Sequence, residues 1–151
     1  MIDDIDQLMA VMEASFDPHY REAWTRRQVE ESLTLPSTYM LLVNAAGEPM
    51  GDGEIAAGFV LARQAADEVE LLLIAVLPQH RGKRIGRRLL AQFIESARAR
   101  SAAKVFLEMR SNNPAERLYR AAGFEQIGQR KDYYRTLTGA TIDALTFARE
   151  V

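Results

Sequence analysis

The chain has 151 residues, which fits one compact domain, since domains usually contain roughly 100 to 200 residues. Hydrophobic residues make up 48% of the chain and charged residues 26%, so it has enough apolar surface to form a core, and disorder throughout is excluded. Its 19 Lys and Arg residues against 21 Asp and Glu residues give a net charge of −2, which argues against nucleic acid or an acidic membrane as a direct partner.

The sequence contains no cysteine and only two histidines. A thiol nucleophile, a disulfide and a thiolate zinc site are therefore excluded, and no metal is expected, since the histidines have no spaced partners. The longest apolar run, residues 71–77, is far shorter than the roughly 20 residues that span a membrane. The acidic start does not resemble a signal peptide, so we expect a cytoplasmic protein.

Two amphipathic helices are predicted at the start of the chain. Apolar residues recur at helical spacing over residues 5–12. Thr25 stands three residues before Gln28, which is the spacing of a capping box, and it predicts a second helix ending near residue 35.

Three strands and a long helix follow. The strands are predicted over residues 39–43, 54–62 and 68–77, with a turn at 45–47. Residues 71–76 are apolar throughout, which is typical of a sheet covered on both faces, and Pro78 ends the third strand. An apolar stripe predicts the helix over residues 83–100.

The last third of the chain predicts one more helix between strands. Asn113 and Pro114 favour a helix start, and Gly123 favours its end. Strands are predicted over residues 104–109, 125–130 and 141–148, the last two joined by a long polar loop at 131–139. The whole pattern predicts an α/β (α+β) fold in a single domain, residues 1–151, with local parallel pairing and antiparallel edges.

The segment with the strongest chemical signal is a strand that passes through a basic turn, residues 81–86, into the long helix. The first turn of a helix offers unpaired N–H groups and partial positive charge, and glycine lets a phosphate approach them. Arg81, Lys83 and Arg84 add cationic side chains. The pattern is neither a Walker loop nor a dinucleotide fingerprint. It predicts an anion site, and the alternative is a solvated basic helix start.

The basic turn resembles the Q/R-x-x-G-x-G/A motif of the GNAT superfamily of acyl-CoA-dependent N-acyltransferases, with Arg84 in place of the middle glycine. A second signature of that superfamily, N-x-x-A-x-x-L-Y-x-x-x-G-F, is intact at Asn112, Ala115, Leu118, Tyr119, Gly123 and Phe124. The resemblance implies the GNAT fold, a central mixed and mostly antiparallel sheet with a splayed parallel pair and helices on both faces. It also implies acetyl-CoA as co-substrate.

Within this superfamily the chain is most similar to the bacterial RimI type over about residues 68–147. Two departures stand out. The usual first strand is missing or reduced, and the loop at 108–112 is one residue shorter. The resemblance implies acetyl transfer to the N-terminal α-amine of a protein, with a ribosomal protein alanine among the candidate acceptors. Transfer would proceed by direct attack in a ternary complex, and the oligomeric state would be a monomer or a homodimer.

The resemblance assigns catalytic roles to two residues. Glu108 lies on a mostly apolar predicted strand, where it would act as general base toward the amine. From the sequence alone, a carboxylate at a solvated strand end or one paired with Arg110 is favoured over this role, and the resemblance reverses that order. Tyr119 would act as acid toward the CoA thiolate, and its alternative is a core tyrosine.

The remaining candidate residues concern binding. The resemblance assigns contacts with acetyl-CoA to Ile74, Ala75, Val76, Arg81, Gly82, Lys83, Arg84, Ile85, Gly86 and Asn112. Candidates for the acceptor side are Trp24, Tyr133 and Tyr134, although half-buried tyrosines in strands are ordinary.

Two other functions stay open at this point. The same kind of enzyme could acetylate a small-molecule amine or a lysine side chain. From another class, the chain could be a non-catalytic CoA-binding or interaction module, which Arg84 and the short loop at 108–112 would favour.

Overall fold

The computed structural model describes residues 3–151, and its core is a six-stranded sheet. The strands are β1 Thr38–Val43, β2 Gly58–Ala65, β3 Glu68–Val76, β4 Lys104–Arg110, β5 Glu125–Arg135 and β6 Thr141–Glu150. Their order across the sheet is β1-β2-β3-β4-β6-β5, and β3–β4 is the parallel pair. The predicted mixed, mostly antiparallel sheet is thus confirmed.

Four helices cover the two faces of this sheet. They are α1 Asp4–Ser15, α2 Arg26–Leu33, α3 Ile85–Ala99 and α4 Glu116–Ala121, and short 3-10 turns lie at Pro18–Tyr20 and Pro78–His80. The helices α3 and α4 pack on one face, whereas α1 and α2 pack on the other, so the sheet separates two apolar clusters. None of the described helices is long and apolar enough to cross a membrane.

The parallel pair β3–β4 is joined over only four residues of each strand. The register pairs residues 68–71 with 104–107, and both strands then continue without pairing to each other. A bulge at Leu72 on β3 contributes to this separation, because Leu61 pairs with Leu73 while Ala62 pairs with Leu71. A bulge bends and twists its strand. The outcome is a gap between the carboxyl ends of β3 and β4.

The prediction for the second strand was wrong at its start. Residues 54–57 precede β2 instead of belonging to it, because the segment closes a turn. The Glu54 carboxylate accepts hydrogen bonds from Gly51 N and Asn44 Nδ2, at 2.7 and 2.9 Å. These side-chain contacts outweigh the strand propensity of the segment.

The long loop predicted between the last two strands was also wrong. β5 continues to Arg135, and the connection to β6 covers only residues 136–140. The polar residues 131–133 form a bulge within β5, since the register passes from Arg130–Ala144 to Tyr134–Ile142. Alternating apolar residues, the usual mark of a strand, are absent because β5 is mostly exposed at the edge of the sheet.

The start of α4 differs from the prediction. The helix α4 begins two residues later than predicted, because Asn113 Oδ1 accepts a hydrogen bond from Ala115 N in a turn that precedes Glu116. The helix α1 begins at Asp4, and β1 forms one edge of the sheet.

Candidate active site

The gap between β3 and β4 opens into a cleft of about 590 Å³, which we call the main cleft. The carboxyl end of β3 forms one wall, with Ile74, Ala75 and Val76, and α4 forms the opposite wall, with Leu118 and Tyr119. The end of α1 and the loop that follows it border the cleft as well. The sequence-predicted residues of β3 and α4 therefore face each other.

The basic turn lies beside this cleft and has the backbone of a glycine turn. Gly82 and Arg84 have φ values of +80° and 64°, both in the left-handed region. Arg84 is the N-cap residue of α3, and in the described part of the chain no side chain caps that helix, so its first N–H groups face the turn. A left-handed conformation costs a residue with a side chain roughly 1 to 2 kcal/mol. The arrangement favours an anion at the start of α3.

A second cavity, of about 340 Å³, lies at the basic turn. Its lining includes His80, Gly82, Arg84, Gly86 and Arg87. The start of α3 and arginine residues of the turn and the helix therefore border one space, as an anion site requires. Lys83 is exposed, and Ile85 is buried in the core beneath the turn.

Arg81 points back toward the main cleft. Its Nε donates to Val76 O at 3.1 Å and its Nη2 donates to Ser15 O at 2.8 Å. The Ser15 hydroxyl also lies 3.4 Å from Val76 O. The Arg81 side chain thus ties the end of α1 to the end of β3, and its guanidinium lines the cleft.

Glu108 follows the last β4 residue that pairs with β3 and lines the gap, and its carboxylate has two partners. Arg130 Nε lies 3.3 Å from Oε2, and Thr146 Oγ1 lies 3.5 Å from the same oxygen. The Glu108 side chain is 22% exposed. The alternative partner considered from the sequence, Arg110, is not its ion-pair partner, because Arg110 pairs with Glu22.

Tyr119 is buried, with 5% of its surface exposed, and it packs edge-to-face on Phe124 at 6.0 Å between ring centroids. Burial, reinforced by the negative charge of Glu22, raises the pKa of Tyr119 well above its usual value. A narrow cavity of about 60 Å³ between β3 and β4 is lined by Glu108, Tyr119 and Glu22 together. The structure therefore brings both predicted catalytic residues to one gap.

Glu22 and Arg110 were not predicted as site residues. Arg110 Nε lies 3.2 Å from Glu22 Oε1, and its guanidinium stacks on Tyr20 at 3.6 Å from the ring centroid. Arg110 Nη1 also donates to Asn112, at 2.8 Å to the side-chain Oδ1. This cluster joins the loop after α1 to the end of β4. No sequence pattern marks Glu22, because its loop is irregular. Arg110 could have been predicted, since the alternation of β4 places it on the same face as Glu108.

The candidate residues Tyr133 and Tyr134 lie on β5, in the β5–β6 hairpin. Leu137 N donates to His19 O at 3.0 Å, which joins the hairpin tip to the loop after α1. Tyr134 is half-buried, and burial, with the nearby charges of Glu108 and Glu22, raises its pKa to about 12. Tyr133 packs on Tyr134 edge-to-face and is 51% exposed. Trp24, by contrast, packs against the apolar cluster beneath α1 and α2.

Comparison with known proteins identifies the family. A model described as the Acetyltransferase (GNAT) family matches residues 6–124, which is more than half of the chain. The chain belongs to the GNAT family. It is therefore an acetyl-CoA-dependent N-acetyltransferase.

Two curated GNAT relatives are similar in sequence. The N-alpha-acetyltransferase RimI of Mycobacterium tuberculosis is 34% identical over 130 residues, covering 85% of this chain and 77% of the relative. A [ribosomal protein bS18]-alanine N-acetyltransferase of Haemophilus influenzae is 33% identical over 91 residues, covering 60% of this chain and 62% of the relative. Both are N-acetyltransferases of the RimI type.

The fold agrees with a solved GNAT structure. The ribosomal-protein-S18-alanine N-acetyltransferase from Escherichia coli superposes with a TM-score of 0.80 and covers 99% of this chain and 90% of that one. At 24% sequence identity this likeness shows the fold alone. The splayed β3–β4 pair and the basic turn thus belong to a GNAT scaffold.

Proposed function

We propose that this GNAT enzyme transfers the acetyl group of acetyl-CoA to the N-terminal α-amine of a protein, with a ribosomal protein alanine as the first acceptor to test. The observation that carries the proposal is that Glu108, Tyr119 and Glu22 line one gap, which opens into the cleft beside the basic turn. The names of the RimI-type relatives support the choice of acceptor.

Acetyl-CoA would bind along the main cleft, from the basic turn to the end of β3. The N–H groups at the start of α3 and the guanidinium of Arg84 would hold the diphosphate. The backbone of Ile74, Ala75 and Val76 would hold the pantetheine arm, on the wall that Arg81 ties to α1. The thioester would then reach the gap between β3 and β4, with Asn112 at the border of the cleft.

On the amine side, Glu108 supplies a carboxylate oxygen in the gap. Both of its partners contact Oε2, and within residues 3–151 no hydrogen bond or ion pair is found for Oε1. This oxygen would accept the proton of the acceptor amine, directly or through water. An α-amine has a reference pKa of roughly 7.7 to 8.0, so a useful neutral fraction exists at neutral pH. Glu108 therefore needs to contribute only modestly.

In the transfer step the amine nitrogen forms a bond to the thioester carbonyl carbon, and the C–S bond of the resulting tetrahedral species breaks. A strand N–H would stabilise its oxyanion. The departing thiolate then needs a proton or a hydrogen bond, and Tyr119 lines the gap where it forms. Because the pKa of Tyr119 is raised, hydrogen bonding to the thiolate matters more than complete proton transfer. Without a cysteine in the chain, direct attack in a ternary complex is the proposed route.

The experiment that tests the proposal is a steady-state assay with acetyl-CoA and short peptides that begin with Ala, Ser or Met. We expect turnover with α-amine acceptors and a rate that rises by less than about tenfold between pH 7 and 9, because the neutral fraction of the amine levels off above its reference pKa. A lysine acceptor, with a reference pKa of about 10.4, would show a rate that rises steeply over that range. Stabilisation by CoA in a thermal-shift titration without turnover on any amine would instead identify a binding module.

A further inference from the structure

The bulge in β5 is unusually large. Arg130 pairs with Ala144 and Tyr134 pairs with Ile142, so residues 131–133 all lie opposite a single residue of β6, which is Asp143. Three residues against one leave the ladder without its normal hydrogen bonds at this point. Asp132, in the middle of the bulge, has a φ of +52° and therefore sits in the left-handed region. Such a segment needs partners from outside the ladder.

Asp143 provides those partners. Its Oδ1 accepts a hydrogen bond from Asp132 N at 2.9 Å, and its Oδ2 accepts one from Gln129 Nε2 at 2.6 Å. Asp132 is held from a second side, since Thr141 Oγ1 donates to its Oδ1 at 2.8 Å. The hydrogen bonds from Asp132 N and Gln129 lower the pKa of Asp143, which agrees with a carboxylate that is engaged in its charged form.

The backbone of Asp143 contacts the catalytic strand as well. Its carbonyl oxygen accepts a hydrogen bond from Ser111 N at 2.9 Å, directly after the end of β4. One residue therefore joins the bulge of β5 to the segment that follows Arg110. Asp143 thereby connects both strands that contain proposed acceptor-site groups, β4 with Glu108 and β5 with Arg130 and Tyr134.

The residues on either side of the bulge lie on the same face of the sheet as Glu108, because their partners on β6, residues 144 and 142, alternate with Thr146, the partner of Glu108. Arg130 forms the ion pair with Glu108, and burial, with the nearby charge of Glu108, raises the pKa of Tyr134. They are four residues apart on β5 but oppose β6 residues only two apart. Without the bulge, Tyr134 would lie two residues further along β6 and away from Glu108.

We propose that Asp143 is a positioning residue of the acceptor site, whose carboxylate holds the bulge and thereby places Arg130 and Tyr134 against Glu108. The inference rests on the proposed function, because it assigns this face of Glu108 to the acceptor amine. Asp143 does not touch the reacting atoms. It acts through the two residues that border the bulge.

The test compares Asp143→Ala with Asp143→Asn. The amide oxygen of Asn can still accept from Asp132 N, and its NH₂ group can donate to Gln129 after that side chain turns over. Alanine removes both contacts. We expect Asp143→Ala to lower kcat/KM for the acceptor peptide about tenfold, while the Kd for acetyl-CoA stays within about twofold. Asp143→Asn should stay within about threefold of the unchanged enzyme.

Two further measurements separate positioning from general destabilisation. Asp67→Ala removes an exposed carboxylate in the turn between β2 and β3 and should leave all constants unchanged. Amide hydrogen exchange at Asp132 should accelerate in Asp143→Ala and remain slow in Asp143→Asn. If Asp143→Ala does not fold, Thr141→Val removes only the Thr141–Asp132 hydrogen bond and should raise the acceptor KM with kcat and acetyl-CoA affinity preserved.

Two results would overturn the inference. One is an Asp143→Ala enzyme, or a Thr141→Val enzyme if the former fails to fold, with unchanged acceptor constants. The other is a loss of acetyl-CoA affinity as large as the loss for the acceptor, which would indicate a merely structural role. An unchanged enzyme that acetylates no α-amine would instead overturn the proposed function, and in that case exchange at Asp132 still tests whether Asp143 holds the bulge.

Discussion

Arg130 and Glu108 form an ion pair across β6, with 3.3 Å between Arg130 Nε and Glu108 Oε2. Arg130 lies opposite Ala144 and Glu108 lies opposite Thr146, so the pair runs diagonally over one face of the sheet. The Arg130 side chain is 62% exposed, and exposed ion pairs contribute only about 0 to 1 kcal/mol to stability. The pair therefore matters for the orientation of Glu108 more than for the fold.

Replacing Arg130 with Met tests that orientation. We expect the free energy of unfolding to change by less than about 1 kcal/mol in urea titrations. The kcat for an α-amine peptide should fall about threefold to tenfold, because the carboxylate loses one of two orienting contacts. Arg63→Met is the matched control, since it removes an exposed ion pair with Glu70 on the neighbouring strands β2 and β3. An Arg130→Met enzyme with undiminished kcat would show that Glu108 needs no orientation from this pair.

Glu108→Gln and Tyr119→Phe test the catalytic assignments directly. Each should reduce kcat by about tenfold or more, with acetyl-CoA affinity nearly unchanged. Tyr119→Phe keeps the ring that packs on Phe124, so its fold should be retained. Calorimetric titration with CoA and circular dichroism check binding and folding in both variants. Full activity in both would remove the two proposed roles.

The left-handed backbone of Arg84 predicts how substitutions at this position change stability. Because its backbone is left-handed, Arg84→Gly relieves a cost of roughly 1 to 2 kcal/mol, partly offset by the entropy of glycine, about 0.5 to 1 kcal/mol. Arg84→Ala keeps the strain and removes only the guanidinium. We therefore expect the Gly variant to unfold at a higher urea concentration than the Ala variant.

Binding of CoA separates the two contributions of Arg84. If the guanidinium contacts the diphosphate, both variants lose affinity, and the loss is larger at low salt than at high salt. A glycine variant that binds CoA as tightly as the unchanged enzyme would show that the backbone amides suffice. In that case Arg84→Ala should also bind CoA as tightly as the unchanged enzyme, and any weaker binding would come from its strained backbone.

The raised pKa of Tyr119 predicts how stability depends on alkaline pH. Folding keeps this phenol neutral, while in the unfolded chain it ionises near its usual value of about 10. Its contribution is therefore fully present below pH 10 and is lost as the pH rises, by up to about 1.4 kcal/mol per pH unit. Tyr134, with a pKa of about 12, acts in the same direction. Urea titrations from pH 9 to 11 should show a shallower decline for Tyr119→Phe, and parallel curves would contradict the burial argument.

Local patterns predicted the elements that surround the basic turn. The apolar run of β3, the glycines of the basic turn and the amphipathic stripe of α3 follow one another in the chain, and each has its own sequence signal. Gly123 likewise ends α4 with a φ of +91°, as predicted. These features depend on residues a few positions apart.

The proposed acceptor side was less predictable because its contacts join distant segments. Glu22 meets Arg110 from a loop with no periodic pattern, 88 residues earlier in the chain. Arg130 reaches Glu108 only because β6 inserts between β4 and β5, an order that the sequence does not state. The bulge at residues 131–133 has the polar sequence of a loop. It stays within β5 because the side chain of Asp143 accepts a hydrogen bond from Asp132 N in place of a backbone partner.

The most direct test of the proposed function is product mapping on one peptide that begins with alanine, has a free α-amine and contains an internal lysine. The enzyme and acetyl-CoA are incubated with this peptide, and fragmentation mass spectrometry locates the added acetyl group. We predict acetylation of the N-terminal nitrogen, at a rate reduced about tenfold or more when Glu108 is replaced by Gln. Acetylation on the lysine alone, or no product while CoA still binds, would contradict the account.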